Sequence, residues 1–482
     1  MSLLPFLFVT IVAATLSLLL RQRREIAVSL GVLGLAVALV AALAIRPGEH
    51  LDIGGTALVT TAYQRLFLIL GCLAGLCLAV IGVTAGSRRD APAVMLGTLA
   101  TTALALGLPD ARVAILASTA GALLGVLVTL APSGARVGAT VGIRETRAVI
   151  VAGTLAVAAA AWIGRPLGDV AAQPVVFGLA YLAFALAVAI RFGAIPFHFW
   201  AARLADAAPE VTLPVLTAWG PAALAVVALG WIDSTVAPVL PEISAERAVL
   251  VGIALATIVL AAFAATIQDD LEHVLSYSIM GDAGVVLLGL ASIGTEAWEP
   301  ARTWILSFVV GRSAFAAWVA AMRATFWSGR IDDLHGWMRR SPPLALALVL
   351  VIVASLGFPG LAAWDARGAL VGLLFAPPWG ALVGLATLLP LAYYGRLLLV
   401  GARRPHGGSA AADWHPRLDP VDVTHVRGSI VAFGRANRAP ATAVVALLLA
   451  GVAAATSGGA FGVRDAAAAA APVIEDGSVP TP

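Results

Sequence analysis

The stretch Ala189–Trp200, AIRFGAIPFHFW, closes a long apolar run and decides how the chain folds. Arg191 lies inside this stretch, Pro196 interrupts it, and His198 follows between two aromatic residues. Proline breaks helices because it has no N–H and clashes with the preceding turn. A charge at the centre of a bilayer costs about 3 kcal/mol on insertion scales, so it marks a candidate functional site. We therefore interpret the stretch as a broken membrane helix that carries a functional charge.

The composition predicts a polytopic membrane protein. Hydrophobic residues make up 60% of the 482 positions and charged residues 12%, which is about half the charged share of soluble domains. Apolar runs of about 18 residues or more recur along the chain, and each can cross a hydrocarbon core about 30 Å thick. Because these runs are continuous rather than alternating, they favour helices over a membrane barrel.

The charged and sulfur-containing residues exclude several function classes. The formal net charge is only +3 and the basic residues are all arginine, which does not indicate nucleic-acid binding. Cys72 and Cys77 lie in one apolar run and are interpreted as core residues. The sequence shows no metal-ligand cluster, phosphate-binding loop or nucleophile triad. We expect no metal, no cofactor and no catalytic residue in this chain.

Hydropathy predicts an all-α fold with about fourteen transmembrane helices. Span 7 is predicted to break at Pro196, and span 12 within Ser355–Arg367, where Gly357, Pro359 and Gly360 interrupt the run. Two interrupted spans at matching places indicate two inverted repeats, here the five-helix sets of spans 4–8 and 9–13. The predicted spans are residues 3–20, 26–45, 62–85, 92–108, 112–131, 146–164, 172–195, 211–232, 247–268, 274–292, 303–325, 344–372, 379–400 and 437–456.

These spans divide the chain into six predicted segments. They are 1–90 with the first three spans, 91–235 and 245–400 as the two repeats, 401–436 as a polar loop with an interfacial helix, 437–456 as the last span, and 457–482 as a disordered tail. Arginines cluster in the loops after spans 1, 3, 5, 7, 11 and 13. By the positive-inside rule, both termini are predicted to lie outside the cell.

Five charges within or beside the predicted spans are candidates for an ion path: Arg191, Asp282, Arg312, Asp365 and Arg367. Asp282 and Arg312 lie on neighbouring spans and can either pair across the bundle or line a hydrated route. Asp365 and Arg367 are two residues apart, so they do not face each other on a regular helix. A local pair between them requires the nearby break, and it would then be either functional or a self-neutralising structural pair.

His198 lies just beyond the first break and allows two interpretations. Histidine changes its charge near pH 6.5, so His198 can shuttle protons at a membrane face. It can equally act as a hydrogen-bonded brace for the broken helix.

Three stretches resemble the signatures of the antiporter-like membrane subunits of respiratory complex I (NADH–quinone oxidoreductase). They are RFGAIPFHFWAARLADAAPEVTLPVLTAWGPAA (Arg191–Ala223), QDDLEHVLSYSIMGDAGVVLLGL (Gln268–Leu290) and RIDDLHGWMRRSPPLALALVLVIVASLGFPGLAAW (Arg330–Trp364). Their order matches the family, and the length is most similar to the subunit N branch. The wider family includes subunits of Mrp-type cation/proton antiporters, membrane-bound hydrogenases and inorganic-carbon transporters. The resemblance implies a bacterial cell membrane, other membrane subunits and the lipid bilayer as partners, and quinone as a partner only through the complex.

The resemblance also implies a proton relay that this sequence does not reproduce. In the family a glutamate of span 5 and a lysine of span 7 form a switchable pair, and further ionisable residues of spans 8 and 12 continue the relay. Here the lysine positions correspond to Arg191, Pro221 and Arg367, and the expected place of the glutamate near Thr119 holds no carboxylate. Arginine keeps its proton in proteins, so it holds charge but relays poorly.

The titrating groups of a relay in this chain would therefore be Asp282, Glu272, Asp365 or His198. Glu272 corresponds to a lysine after span 9, and Asp282 to a histidine of span 10. Two hypotheses follow. The chain either contributes an intact or degenerate ion path to a complex I-like proton-translocating assembly, or it is a non-pumping scaffold subunit of such an assembly. A third class, a stand-alone secondary transporter, is also open.

Overall fold

The computed structural model describes residues 2–53, 56–85, 91–130, 136–162, 174–236, 243–326, 328–403, 450 and 462–468. The first part of the chain forms α1 (Leu4–Leu19), α2 (Arg24–Ala44), α3 (Ala62–Ala85), α4 (Ala91–Gly107), α5 (Ala111–Leu130) and α6 (Arg136–Trp162). Next come α7 (Pro174–Phe192), α8 (Ala201–Leu204), a π-helical turn (Val215–Trp219), α9 (Gly220–Thr235), α10 (Ser244–Ile267) and α11 (Leu271–Ala291). The last part forms α12 (Thr295–Phe326), a 3₁₀ turn (Ile331–Leu334), α13 (Trp337–Arg340), α14 (Pro342–Leu356), α15 (Ala362–Leu374), α16 (Trp379–Ala386), α17 (Pro390–Ala402) and α18 (Val463–Ala468).

The helical membrane architecture predicted from the sequence is confirmed. Within the described residues, ten helical segments are long and apolar enough to cross a membrane. The apolar helices α1, α4 and α14 are shorter, with 16, 17 and 15 residues. The predicted span at 437–456 and the predicted interfacial helix in 401–436 lie almost wholly outside the described residues.

A short hairpin departs from the predicted all-α fold. Strands β1 (His50–Ile53) and β2 (Thr56–Val59) pair antiparallel in the loop between α2 and α3. The Thr60 hydroxyl closes the hairpin, since it lies 2.9 Å from each of the carbonyl oxygens of Arg46 and Glu49. Hydropathy missed the hairpin because strands of four residues are too short to register in a window that detects membrane spans.

The first predicted break is present, but it begins before the proline. Helix α7 ends at Phe192, and Gly193 has φ +64°, a conformation that favours glycine. The N–H of Ala194 reaches back to the carbonyl of Ala189 at 2.9 Å, which closes the last turn. Pro196 therefore lies in the loop beyond the helix end rather than at it. The predicted boundary at 195 is three residues too late, because Gly193 rather than Pro196 ends the helix.

The second predicted break is confirmed with its residues. Helix α14 ends at Leu356 and α15 starts at Ala362, with Pro359 between two glycines. Gly357 has φ +64° and Gly360 has φ +90°.

Two further irregularities were not predicted. The span predicted at 211–232 begins with the π-helical turn, and the span predicted at 379–400 consists of α16 and α17. Pro390 is the first residue of α17, which is the helix position that tolerates a missing N–H. Short turns of this kind keep an apolar run intact and are therefore invisible to hydropathy.

Candidate functional site

A first charged centre lies where α6 and α7 approach α4 and α5. Glu145 on α6 is 1% exposed and Arg191 on the last turn of α7 is 3% exposed. Both line one small cavity, together with hydroxyl-bearing residues Thr98, Thr101, Thr102 and Ser118. The cavity has space for about one water molecule. The two opposite charges interact electrostatically. Buried charges require this kind of compensation.

The hydrogen-bonding capacity of the Glu145 carboxylate is not fully used. The Oε2 atom of Glu145 is buried and has no hydrogen-bond partner among the described residues. A buried acceptor without a partner is costly unless it is protonated or meets water. The carboxyl group therefore has one oxygen that a proton or a water molecule could satisfy.

The start of α9 approaches Arg191 closely. A Cβ atom built on Gly220 would lie 3.6 Å from Nη2 of Arg191 and 3.6 Å from the carbonyl oxygen of Val215. Val215 opens the π-helical turn, which widens the backbone next to the guanidinium. Single π turns inside helices frequently occur at functional sites.

A second charged centre lies between α11, α12 and α17. Nε of Arg312 donates a 2.6 Å hydrogen bond to Oδ2 of Asp282, and Nη2 lies 2.6 Å from the same oxygen. Nη1 of Arg312 donates to the Tyr394 hydroxyl at 2.9 Å. Arg312 is 0% exposed. Of the two alternatives for Asp282 and Arg312, the structure shows the pair across the bundle.

Arg367 belongs to this second centre. It lies on α15, 4% exposed, and interacts electrostatically with Asp282. Its guanidinium carbon lies 5.1 Å from the centre of the Trp364 ring, a distance typical of a cation–π contact.

Asp365 does not form the local pair with Arg367 that the sequence left open. Its carboxylate pairs with Arg464 of α18, and the side chain of Asp365 is 45% exposed. The reason is the helix period, because two side chains that are two residues apart on the regular helix α15 point to opposite sides. Arg367 thus faces the bundle, and Asp365 faces its edge.

His198 lies outside both centres. Its ring lies 4.4 Å from the Phe199 ring, and its carbonyl accepts a 3.0 Å hydrogen bond from the N–H of Ala202 at the start of α8. The Nδ1 atom is buried without a hydrogen-bond partner in the part of the chain described. The proton-shuttle and brace interpretations both stay predictions.

A third group of charges lies at the ends of α11 and α12. Arg323 pairs with Glu210 of the loop before the π-helical turn, and its Nη1 lies 2.8 Å from Oε1 of Glu272. Nearby, Nε2 of His273 lies 3.2 Å from Oδ1 of Asp206. This cluster brings Glu272, which was predicted as a titrating group, to an arginine and a second carboxylate.

Sequence reasoning missed Glu145. The span was predicted to begin at 146, which placed Glu145 in a polar loop, whereas α6 begins at Arg136. A usable signal was present, since Glu145 is the single acidic residue between positions 136 and 162. The carboxylate expected on span 5 is thus absent there, and one from α6 lines the same cavity as Arg191 instead.

Several known proteins are similar to this chain in sequence. A model of the family described as "NADH:quinone oxidoreductase/Mrp antiporter, TM" matches residues 150–389. NADH-quinone oxidoreductase subunit N 2 of Rhizobium meliloti is 28% identical over 242 residues, which are 49% of this chain and 48% of that protein. Subunit N of Xanthomonas euvesicatoria is 30% identical over 217 residues, which are 43% of this chain and 42% of that protein. The chain therefore spans about half the length of the curated relatives it matches.

Solved structures share the fold over nearly the whole chain. A chain of respiratory complex I from Thermus thermophilus with bound NADH has a TM-score of 0.70 at 18% identity, and the match covers 97% of this chain and 100% of that one. A chain of the Mrp complex from Dietzia sp. DQ12-45-1b also has a TM-score of 0.70 at 18% identity, with 98% and 97% covered.

Broken helices and buried charges on a many-helix membrane scaffold define the class of antiporter-like membrane subunits. The chain belongs to the NADH:quinone oxidoreductase/Mrp antiporter family, with subunit N proteins among its relatives.

Proposed function

We propose that this chain is a proton-conducting membrane subunit of a complex I-like NADH–quinone oxidoreductase. The observation that carries the proposal is the shared cavity of Glu145 and Arg191. The cavity contains a buried carboxylate and a fixed positive charge. The position near Thr119, where the family resemblance places that carboxylate, has none. The pair is available to act as the switchable pair that the family resemblance implies.

Glu145 is the group that would gain and lose the proton. When ionised it is stabilised by Arg191, and when protonated it leaves the arginine charge uncompensated in a low-dielectric interior. Each proton arriving at Glu145 therefore changes the net charge that the neighbouring helices experience. Arg191 stays protonated throughout and supplies the constant charge.

Asp282 would have the corresponding role in the second centre. It is buried against Arg312, with Arg367 close enough to interact. Two arginines and one aspartate leave a net positive charge in the second centre. A change of charge in the first centre would therefore act electrostatically on this positive charge. These contacts support an ion path in both halves, with each half built as one of two inverted five-helix repeats.

The proposed surroundings follow from the same family. We propose that the chain lies in a bacterial cell membrane with both termini outside and contacts other membrane subunits and the lipid bilayer. NADH, redox cofactors and quinone would bind to those other subunits. The chains similar to this one in the solved structures belong to a complex I and an Mrp complex, which supports a multi-subunit setting.

The test is driven proton flux in inverted membrane vesicles that contain the full complex. The variant Glu145→Gln keeps the shape of the side chain and removes the titrating group, so NADH-driven flux is expected to fall by about tenfold or more. Thr119→Ala on α5, at the position where the resemblance places the glutamate, is the control and keeps the flux. Unchanged flux in an assembled Glu145→Gln complex would reject the proposal.

One observation favours the scaffold function as a second candidate. Pro221, which corresponds to the central lysine of the relay, is buried in the first turn of α9 and cannot carry a proton. A scaffold subunit would show normal flux in both Glu145→Gln and Asp282→Asn, but loss of complex assembly when whole helices are removed. The same flux assay therefore separates the two functions. An Mrp-type antiporter, a membrane-bound hydrogenase or an inorganic-carbon transporter would be recognised by the subunits that co-purify.

A further inference from the structure

A further buried arginine, Arg302, lies at the end of the bundle where α9 ends and α12 begins, outside the two charged centres. We propose that Asp233, Trp298 and Arg302 hold one bridging water molecule, and that Asp233 carries the proton at this end of the path. This inference rests on the proposed function and adds a residue to it. In the proposed orientation this end lies at the outer face, because the arginine-rich loop after α12 lies inside.

The three side chains come from the last turn of α9 and the first turns of α12. Oδ1 of Asp233 accepts a 2.9 Å hydrogen bond from the N–H of Gly294, the residue directly before α12. Trp298 and Arg302 are four residues apart on α12 and therefore share one face of the helix. The guanidinium carbon of Arg302 lies 5.1 Å from the centre of the Trp298 ring. Arg302 also interacts electrostatically with Asp233, which brings all three side chains to one place.

Each of these side chains has one buried polar atom without a hydrogen-bond partner among the described residues. The atoms are Oδ2 of Asp233, Nε1 of Trp298 and Nη1 of Arg302. Arg302 as a whole is only 2% exposed. Buried polar atoms left without partners are costly, and more so when they are charged. Two donors and one acceptor are a set that one buried water molecule satisfies, since such a molecule typically makes about three hydrogen bonds.

Asp233 is the group of this site that can take up a proton. The indole N–H only donates, and arginine keeps its proton. Oδ1 of Asp233 is held by the backbone, so Oδ2 is the oxygen that accepts a proton from a hydronium ion at the water position. The products are a carboxylic acid and a water molecule, and release of the proton is the reverse step. Arg302 precedes Arg312 of the second centre by ten residues, about 15 Å along α12. The site therefore continues the buried charges of α12 towards the end of the bundle.

The experiment compares a single and a double variant by driven proton flux in inverted membrane vesicles that contain the full complex. Asp233→Asn keeps an Oδ1 atom for the N–H of Gly294 but cannot take up the proton, so NADH-driven flux is expected to fall by about tenfold or more. The double variant Asp233→Asn with Arg302→Gln removes both charges and restores the charge balance. Its flux is expected to stay as low as that of Asp233→Asn. Recovery of flux in the double variant would show that Asp233 only neutralises Arg302 and would overturn the proposal, as would wild-type flux in an assembled Asp233→Asn complex.

A further variant tests the same site without removing a charge, which covers the case that Asp233→Asn does not assemble. Trp298→Phe keeps an aromatic ring against Arg302 but loses the Nε1 donor, so flux is expected to fall about threefold, the equivalent of one neutral hydrogen bond. Glu296→Gln is the matched control, since Glu296 is an exposed carboxylate in the first turn of α12. It is expected to keep the wild-type flux. Wild-type flux in an assembled Trp298→Phe complex would contradict the water site, and so would an equal loss in Glu296→Gln and Asp233→Asn.

Failure of this site and failure of the proposed function give different results. If Glu145→Gln abolishes driven flux while Asp233→Asn keeps it, the site at Asp233 is wrong and the proposed function stands. If Glu145→Gln keeps its driven flux while Asp233→Asn and its double variant with Arg302→Gln lose it, the proposed path through Glu145 is wrong and Asp233 is nevertheless a proton carrier. Normal flux in both single variants rejects both proposals and supports the scaffold function.

Discussion

At the scale of single residues, Arg312 shows what a buried charge requires in this protein. Its guanidinium is fully buried, pairs with Asp282 and donates to Tyr394. Removing charges from water is expensive, and only close pairing with well-directed hydrogen bonds repays the cost. The protein is therefore expected to lose more stability when one partner of the pair is removed than when both are removed.

We predict that Arg312→Gln destabilises the protein by about 3–5 kcal/mol, because it removes the cation that bonds directly to the buried Asp282 carboxylate. The double variant Arg312→Gln with Asp282→Asn removes both charges and is expected to recover most of that loss. The measurement is the free energy of unfolding in detergent for both variants and wild type. A double variant as unstable as Arg312→Gln alone would contradict the pairing.

Residue type alone identified the candidate charged side chains, but it did not identify the residues that they contact. Arg191, Asp282, Arg312 and Arg367 were all identified because a charge in an apolar run is conspicuous. The carboxylate that shares a cavity with Arg191 was missed because the predicted span began at 146, one residue after Glu145. The partner of Asp365 was missed because Arg464 is 99 residues away in the chain.

At the scale of helices, the break between α14 and α15 requires glycine at position 357. Gly357 has φ +64° and ψ +143°, a region essentially reserved for glycine. A Cβ atom there would lie 2.5 Å from the N of Trp364 in α15. The break therefore holds the first turn of α15 directly against the end of α14, and this positions Arg367.

We predict that Gly357→Ala destabilises the protein by roughly 1–3 kcal/mol through backbone strain, besides the clash with α15. Gly368→Ala is the matched control, because a Cβ on Gly368 in the middle of α15 would meet nothing within 4 Å. It should leave stability unchanged or raise it slightly, as alanine favours helix. Thermal unfolding of the purified variants provides the measurement. Equal melting temperatures for the two variants would be inconsistent with a strained break.

The helix breaks were predictable to different degrees for one physical reason. Proline and glycine together, as in Gly357–Gly360, mark a break in any sequence, because they remove the N–H and the steric restriction that a helix depends on. The π-helical turn Val215–Trp219 carries no such mark within it. The turn leads directly into α9 beside Arg191, where a Cβ on Gly220 would be in ordinary contact with Nη2 of the guanidinium.

At the scale of the whole molecule, Arg323 connects parts of the chain that are far apart in sequence. It pairs with Glu210, from the loop before α9, and with Glu272, from the start of α11. The Glu210 side chain is 5% exposed and that of Arg323 38%. One guanidinium thus compensates two carboxylates where the loop before α9 meets the start of α11 and the end of α12.

We predict that Arg323→Gln destabilises the protein by about 1–3 kcal/mol, since two largely buried carboxylates lose their shared cation. Arg330→Gln serves as the control, because Arg330 is exposed and nearby in the chain. The change should appear in unfolding by denaturant, with Arg330→Gln indistinguishable from wild type. An Arg323→Gln variant as stable as the control would show that the cluster contributes nothing to stability.

The sequence by itself determined the membrane class, the two Gly/Pro breaks and the family, because continuous apolar runs and local backbone restrictions are properties of short stretches. Only the tertiary structure decided that Arg191 and Glu145 line one cavity and that Arg312 pairs with Asp282. These pairings depend on how each helix is rotated and where its neighbours lie. The difference in free energy between one rotation and another comes from packing and buried charge across the bundle, which no single stretch of sequence contains.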